Sequence, residues 1–171
     1  DGQILISGGG IGGFAAALAL SKRGRAVHLI EQAPDFSEVG AGIQIGPNVF
    51  KMFDVLGLTD AIMDVAVIPD ALVMMDGLSG DQITRIPLNN DEFKSRFKYP
   101  YGVIYRPDLH NALIDTAKAS PLVELTVNEK VVDYEDDGKT VRAICESGNT
   151  FEGEALIAAD GLWSKIRSKI V

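Results

Sequence analysis

Three glycines pose the first chemical question. Gly8, Gly10 and Gly13 form the pattern Gly-x-Gly-x-x-Gly, one residue after the apolar run Ile4-Leu5-Ile6 and at the head of an Ala- and Leu-rich segment. In such a setting the first glycine permits a tight turn, the second lets backbone approach a pyrophosphate, and the third lets helix and strand pack closely. Ile11 and Gly12, with Gly13, would open the helix. Their N–H groups lack intrahelical partners and sit at the positive end of the helix dipole, which suits a phosphate. Glu31 follows Gly13 by 18 residues, at the end of the next apolar stretch. A carboxylate there accepts hydrogen bonds from ribose hydroxyls and repels a 2′-phosphate, which favours FAD or NAD over NADP. The pattern does not separate FAD from NAD. Its alternative is a glycine turn in a non-binding α/β domain with a solvated Glu31.

These residues need a scaffold, and the sequence predicts an α/β one. Residues 4–6 read as a buried parallel strand, 11–23 as a helix closed by Gly24, and 26–30 as a second strand, together one strand–helix–strand unit. Residues 40–46 read as a second glycine-rich loop, followed by a helix from Pro47 to about Leu56 and a short helix over 59–65. Strands are expected over 71–76 and 82–87 around Gly77-Leu78-Ser79-Gly80, a polar loop over 89–98, a strand over 101–105 and a helix over 107–119. The last third predicts strands over 123–127, 130–135, 141–146 and 150–152, an apolar strand over 155–159 and a helix over 164–170. The expected fold is a Rossmann-like parallel sheet with an inserted antiparallel β-meander.

Three further segments carry candidate binding residues. In the loop around Ala41 and Gly42, glycines let backbone amides reach a ligand; an ordinary βα loop is the alternative. Arg106, between a strand and a helix, offers several donors to a phosphate or a ribityl hydroxyl, or else a surface ion pair with Asp108. Asp160-Gly161 is delivered by an apolar strand to a helix start, where sheets of this class bind ligands; the alternative is a plain helix cap.

Composition excludes other classes. The chain has 171 residues, with Lys+Arg 16 against Asp+Glu 24 and a net charge of −8. Such acidity argues against a nucleic-acid binder. Residues 14–20 are the longest apolar run, far short of the roughly 20 residues of a membrane span. One cysteine, Cys145, rules out an internal disulfide framework, and a cytoplasmic setting is expected. His28 and His110 lack partners at metal-ligand spacing, so no metal is expected. Eleven of the 18 glycines lie within the first 57 residues, which concentrates the binding question there.

Taken in order, the glycine pattern, Glu31, Gly40-Ala41-Gly42-Ile43 with Pro47-Asn48, Tyr105-Arg106-Pro107-Asp108-Leu109 and Ala159-Asp160-Gly161-x-x-Ser164-x-x-Arg167 resemble the single-component FAD-dependent aromatic hydroxylases, the flavoprotein monooxygenases that include hydroxybenzoate and salicylate hydroxylases. Glu31-Gln32-Ala33, residues 40–48 and Val73-Met74-Met75-Asp76 are most similar to the 3-hydroxybenzoate 6-hydroxylases within that family.

The resemblance implies that Gly8, Gly10, Ile11, Gly12 and Gly13 line the ADP pyrophosphate and that Glu31 holds the adenosine ribose. Gln32 stands where many members carry Arg. Ala41 and Gly42 would border the flavin, Arg106 the ribityl–pyrophosphate region, and Val131 the adenine through its backbone. Asp160 and Gly161 match a second fingerprint, tied to FAD and to the nicotinamide reductant. The implied activity is NAD(P)H- and O2-dependent hydroxylation of a small aromatic acid, 3-hydroxybenzoate to gentisate, through a flavin C4a-hydroperoxide. Residues 1–70 and 101–171 would belong to the FAD-binding domain and 71–100 to the start of a substrate-domain sheet. The family's later Gly-Asp fingerprint and most of its substrate domain are not found. These residues are therefore expected to be the front part of a longer enzyme, a possible homodimer, with its acid–base residues elsewhere. Another FAD-dependent oxidoreductase, or a non-catalytic nucleotide-binding module, are the competing readings.

Overall fold

A computed structural model describes residues 2–36 and 40–170. In chain order the elements are β1 (Ile4–Ser7), α1 (Ile11–Ser21), β2 (Val27–Ile30), β3 (Gly42–Ile45), α2 (Pro47–Leu56), α3 (Thr59–Met63), β4 (Ala71–Met75), β5 (Gln82–Pro87) and α4 (Asp91–Phe97). They continue with β6 (Gly102–Tyr105), α5 (Arg106–Lys118), β7 (Val123–Thr126), β8 (Val131–Asp136), β9 (Val141–Cys145), β10 (Thr150–Gly153), β11 (Ala155–Ala158) and α6 (Arg167–Ile170). The described residues fall into two compact units, residues 2–36 with 110–170, and residues 40–109.

The first unit is built on a four-stranded sheet in the order β11-β1-β2-β7. Every pairing in it is parallel: Ile4 lies opposite Val27 and Ala155, and Val27 opposite Val123. The register leaves Ser7, Ile30, Thr126 and Ala158 together at one edge of the sheet. Ladder bonds continue one residue further, from Gly8 N–H to the Ile30 carbonyl, Glu31 N–H to Thr126 and Ala159 N–H to Ser7, each 2.8 Å. The C-terminal edge is where parallel sheets bind ligands. Leu5, Ile6, Val27, Leu29 and Ile30 are buried, as strands covered on both faces require. Helix α1 turns Gly13, Phe14, Ala17, Leu18 and Ser21 inward, the i, i+4 spacing of a packed face. It ends at Ser21, so Lys22 and Arg23, the last two residues of the helix expected over 11–23, fall just beyond it. Gly24 at φ +76° closes the turn.

Strands β8, β9 and β10 form the antiparallel meander. Its inner side joins Val131, Ala143 and Cys145 to Leu5, Ile30 and Ile166 in one apolar cluster. Burial, reinforced by the Glu129 carboxylate, pushes the Cys145 thiol up to about 11, so at neutral pH it stays protonated core material.

His28 is buried in β2, with Nε2 2.8 Å from Thr126 Oγ1 and its ring edge-on to Phe151. Burial holds its pKa below the ordinary 6.5, and Glu124, 3.8 Å away, opposes this more weakly. Below pH 6.5 the unfolded chain therefore takes up a proton that the folded chain refuses. His28 contributes stability that is complete above pH 6.5 and is lost as the pH falls toward its lower folded value. Urea midpoints measured between pH 7 and 5 will drop less steeply in His28→Gln than in the wild type. Identical pH slopes would remove His28 from this role.

In the second unit β3 pairs antiparallel with β6, Gly42 opposite Tyr105. The segment expected to be a glycine loop is thus half strand; two glycines masked a pairing that only β6 reveals. Ile45, Phe50, Phe53, Leu56, Leu58, Ile62 and Ile104 form its core. Gly102 is confined there, since a Cβ would meet the Phe50 ring at 2.9 Å. The expected loop over 89–98 contains α4. Asn90 caps it by accepting from Phe93 N–H at 2.9 Å, Asp91 and Glu92 open it, and Lys94 and Arg96 close it, which matches the helix dipole at both ends. Strands β4 and β5 form a hairpin with Leu72, Val73, Met74, Met75, Ile83 and Ile86 exposed. No helix of the described residues is long and apolar enough to cross a membrane.

Candidate functional site

The site begins where β1 ends. Gly8 has φ +110°, and a Cβ on it would lie 2.4 Å from the Ala159 carbonyl oxygen. A Cβ on Gly13 would lie 1.9 Å from the Gly8 carbonyl oxygen, and one on Gly9 2.8 Å from the Phe36 ring. The protein itself requires glycine at these positions. Gly10 and Gly12 differ: a Cβ at either meets nothing within 4 Å, so what their small size leaves open is space outside the protein. Gly10 is the extended N-cap of α1 and makes no side-chain cap, and the first N–H groups of a helix have no intrahelical partners.

Glu31 braces this turn. Its Oε2 accepts from Gly9 N–H at 2.5 Å and its Oε1 from Ala33 N–H at 2.8 Å. Each carboxylate oxygen keeps a second lone pair for another donor.

Beside the turn lies a cleft of about 380 Å³. It gathers Gly8, Gly10, Glu31, Gln32, Val131, Asp160 and Gly161 from four different segments of the chain. The sheet register explains this, because the ends of β1, β2 and β11 lie side by side. Asp160 Oδ2 accepts from Lys165 N–H at 3.1 Å, while its Oδ1 is buried without a partner among the described residues. Asp160 therefore does not cap the following helix. Ser164 Oγ does so by accepting from Arg167 N–H at 3.0 Å, and α6 begins three residues later than expected, at Arg167. Gly161 at φ +78° turns the chain away from β11. Ile11, Gly12 and Gly13 form the first turn of α1 and are not cleft-lining.

The other predicted residues lie in the second unit. Arg106 N–H donates to the Ala41 carbonyl at 3.2 Å, Gly42 pairs in the β3–β6 ladder, and a Cβ on Gly40 would crowd Arg106 Cβ at 3.0 Å. Ala41, Gly42 and Arg106 are thus neighbours. Arg106 is the first residue of α5, so the helix expected from residue 107 starts one residue earlier.

Sequence reasoning passed over several groups. Lys130, Trp163 and Lys165 line the cleft. His110, which enters the sequence analysis only as a histidine without partners at metal-ligand spacing, is buried with Nε2 2.6 Å from the Gly9 carbonyl oxygen. Nothing in its spacing ties it to Gly9; the only signal is its place directly after the Arg106–Leu109 segment. Among the described residues no group of three or more His, Cys, Asp and Glu is arranged to hold a metal.

A parallel sheet, a glycine turn leading into a helix and an acid at the next strand end define a Rossmann-type dinucleotide-binding domain. Residues 1–171 match the family model described as an FAD-binding domain, and the chain belongs to that family. FAD is the cofactor of this domain class. The open faces of Gly10 and Gly12 leave room for its pyrophosphate, and the unpartnered Asp160 Oδ1 and spare Glu31 lone pairs are acceptors suited to its hydroxyls.

The chain is similar to 3-hydroxybenzoate 6-hydroxylase 1 of Aquipseudomonas alcaligenes, 42% identical over 169 residues that cover 99% of this chain and 43% of that protein. It is 35% identical to 6-hydroxynicotinate 3-monooxygenase of Bordetella bronchiseptica over 169 residues, 99% of this chain and 43% of that one. Among solved structures it resembles a Klebsiella pneumoniae HpxO variant complexed with FAD, at TM-score 0.87 and 26% identity over 99% of this chain and 42% of that one. The chain thus spans less than half the length of these relatives.

Proposed function

We propose that the full-length protein is an FAD-dependent monooxygenase that hydroxylates a small aromatic acid, using NADH or NADPH and O2, with 3-hydroxybenzoate as substrate and gentisate as product. The observation that carries this reading is the 42% identity with a 3-hydroxybenzoate 6-hydroxylase across 99% of the chain. Bound FAD supplies the redox chemistry and the activation of oxygen. The chain's own residues position it. Glu31 accepts from the adenosine ribose, Gly10, Ile11, Gly12 and Gly13 present the helix start to the pyrophosphate, and Val131 and Gln32 border the adenine. Asp160 and Gly161 face the cofactor from β11, and Ala41, Gly42 and Arg106 are assigned to the flavin and ribityl side.

In the same reading residues 1–70 and 101–171 belong to the FAD domain and 71–100 begin the substrate-covering sheet. The exposed apolar side chains of the β4–β5 hairpin support that division, since such a surface calls for cover. Self-association is part of the proposal; a tetrameric form of 2-methyl-3-hydroxypyridine-5-carboxylic acid oxygenase, a structural relative, is known.

The 35% identity with a 6-hydroxynicotinate 3-monooxygenase supports a second substrate reading. Both are tested by supplying the purified full-length protein with NADH or NADPH, labelled O2 and each acid. Gentisate carrying one labelled oxygen is the expected product. Labelled product from 6-hydroxynicotinate alone would move the substrate. Reductant consumption with no label in any ring would make the protein a different FAD-dependent oxidoreductase.

A further inference from the structure

Gly8, Gly9 and Gly10 are consecutive glycines, the least restrained backbone a chain can have. The structure nonetheless holds Gly9 at both polar groups. Its N–H donates to Glu31 Oε2 at 2.5 Å, and its carbonyl lies 2.6 Å from His110 Nε2. A carbonyl oxygen only accepts, so Nε2 carries the proton. His110 is itself fixed: it is 2% exposed, and its ring meets Phe14 of α1 edge-on at 5.5 Å. Phe14 meets Phe36 in the same way at 5.1 Å.

The Gly9–Gly10 peptide is trans, so its N–H points opposite to its carbonyl. A carbonyl tied to His110 therefore sets the direction of the Gly10 N–H. Gly10 lines the large cleft, its Cα faces open space, and no hydrogen bond among the described residues uses its N–H. We infer that His110 is a positioning residue for the pyrophosphate seat: through the Gly9 carbonyl it holds the Gly10 N–H toward the dinucleotide. The inference rests on the reading that this turn seats the FAD pyrophosphate. Without the imidazole donor, the buried carbonyl loses its partner and the glycine peptide is free to rotate, so the donor array is no longer set before the ligand arrives.

The test uses the full-length protein freed of FAD. His110→Phe keeps an aromatic ring against Phe14 and removes the donor, while His110→Gln returns an N–H near the position of Nε2. FAD dissociation constants come from quenching of flavin fluorescence, and the melting temperature of each apoprotein is measured alongside. His110→Phe is expected to weaken FAD by about tenfold or more, the effect of one lost hydrogen bond to a buried acceptor. His110→Gln is expected to stay within about threefold of the wild type. ADP should lose affinity in parallel with FAD, and adenosine, which carries no phosphate, should not. Unchanged FAD affinity in His110→Phe, equal weakening in both variants, or equal loss for ADP and adenosine would overturn the inference. If His110→Phe does not fold, His110→Asn, whose amide is too short to reach Gly9, takes its place against His110→Gln with the same expectations. Failure of the wild-type protein to bind FAD would instead bring down the cofactor reading, and this inference with it.

Discussion

Alanine at position 13 will destabilise the protein by about 3 kcal/mol or more, whereas alanine at position 10 will cost about 1 kcal/mol and act on FAD instead. The geometry separates the two. The Gly13 Cβ would sit 1.9 Å from the Gly8 carbonyl oxygen. That atom is backbone, and Gly8 is fixed by the bond from its N–H to Ile30. Relief requires α1 to move off β1, which disturbs the packing of Phe14, Ala17 and Leu18. Overpacking of this kind reaches the upper part of the range for single substitutions. A Gly10 Cβ meets nothing within 4 Å, and its φ of −79° suits any residue. Its cost is the weaker N-cap propensity of alanine. The added methyl occupies the approach to the helix start, so FAD affinity should fall by tenfold or more, on the order of 1.4 kcal/mol. Urea unfolding of the apoprotein with FAD titration of each variant checks both halves. Equal stability losses at the two positions would refute the division of roles.

Glu31→Ala is expected to weaken FAD by roughly a hundredfold, about 3 kcal/mol. The carboxylate holds Gly9 and Ala33 by their N–H groups and offers its remaining lone pairs to the ribose. Charge-assisted hydrogen bonds contribute about 1.5–3 kcal/mol each, so loss of the ribose contact together with a loosened turn gives that magnitude. Glu31→Gln should fall between the wild type and alanine, because one carboxylate oxygen is replaced by a donor that faces an N–H. Fluorescence titration with FAD measures all three. Wild-type affinity in Glu31→Ala would take Glu31 out of the site.

The strand–turn–helix unit around Gly8–Gly13 is legible in the sequence because its signals are local: an apolar run, glycines at fixed offsets, helix formers and then Gly24. The β4–β5 hairpin and the meander are legible for the same reason, through alternating strands and turn residues. Strand β3 is not, because Gly42 and Gly46 read as loop and the segment becomes a strand only by pairing with β6. Helix α4 is hidden by its polarity, although the Asn90 cap and the acid-to-base order from Asp91 to Arg96 are present in the sequence and outweigh a missing apolar face. His110 is the clearest omission at the candidate site. Its partner is a backbone carbonyl 101 residues away, and a carbonyl has no sequence signature.

By itself, then, the sequence determines most of the segments that become strands and helices, β3 and α4 apart, together with where the glycine turn lies and that an acid ends the second strand. These depend on turn chemistry and periodicity within a few residues. The tertiary structure decides that β11 lies beside β1 and β7 beside β2, and hence that Asp160, Val131 and Glu31 share one cleft. It also decides which glycines are required by the fold and which leave space open. Those outcomes depend on register between strands far apart in the chain, fixed by burial of their apolar faces and completion of their backbone hydrogen bonds.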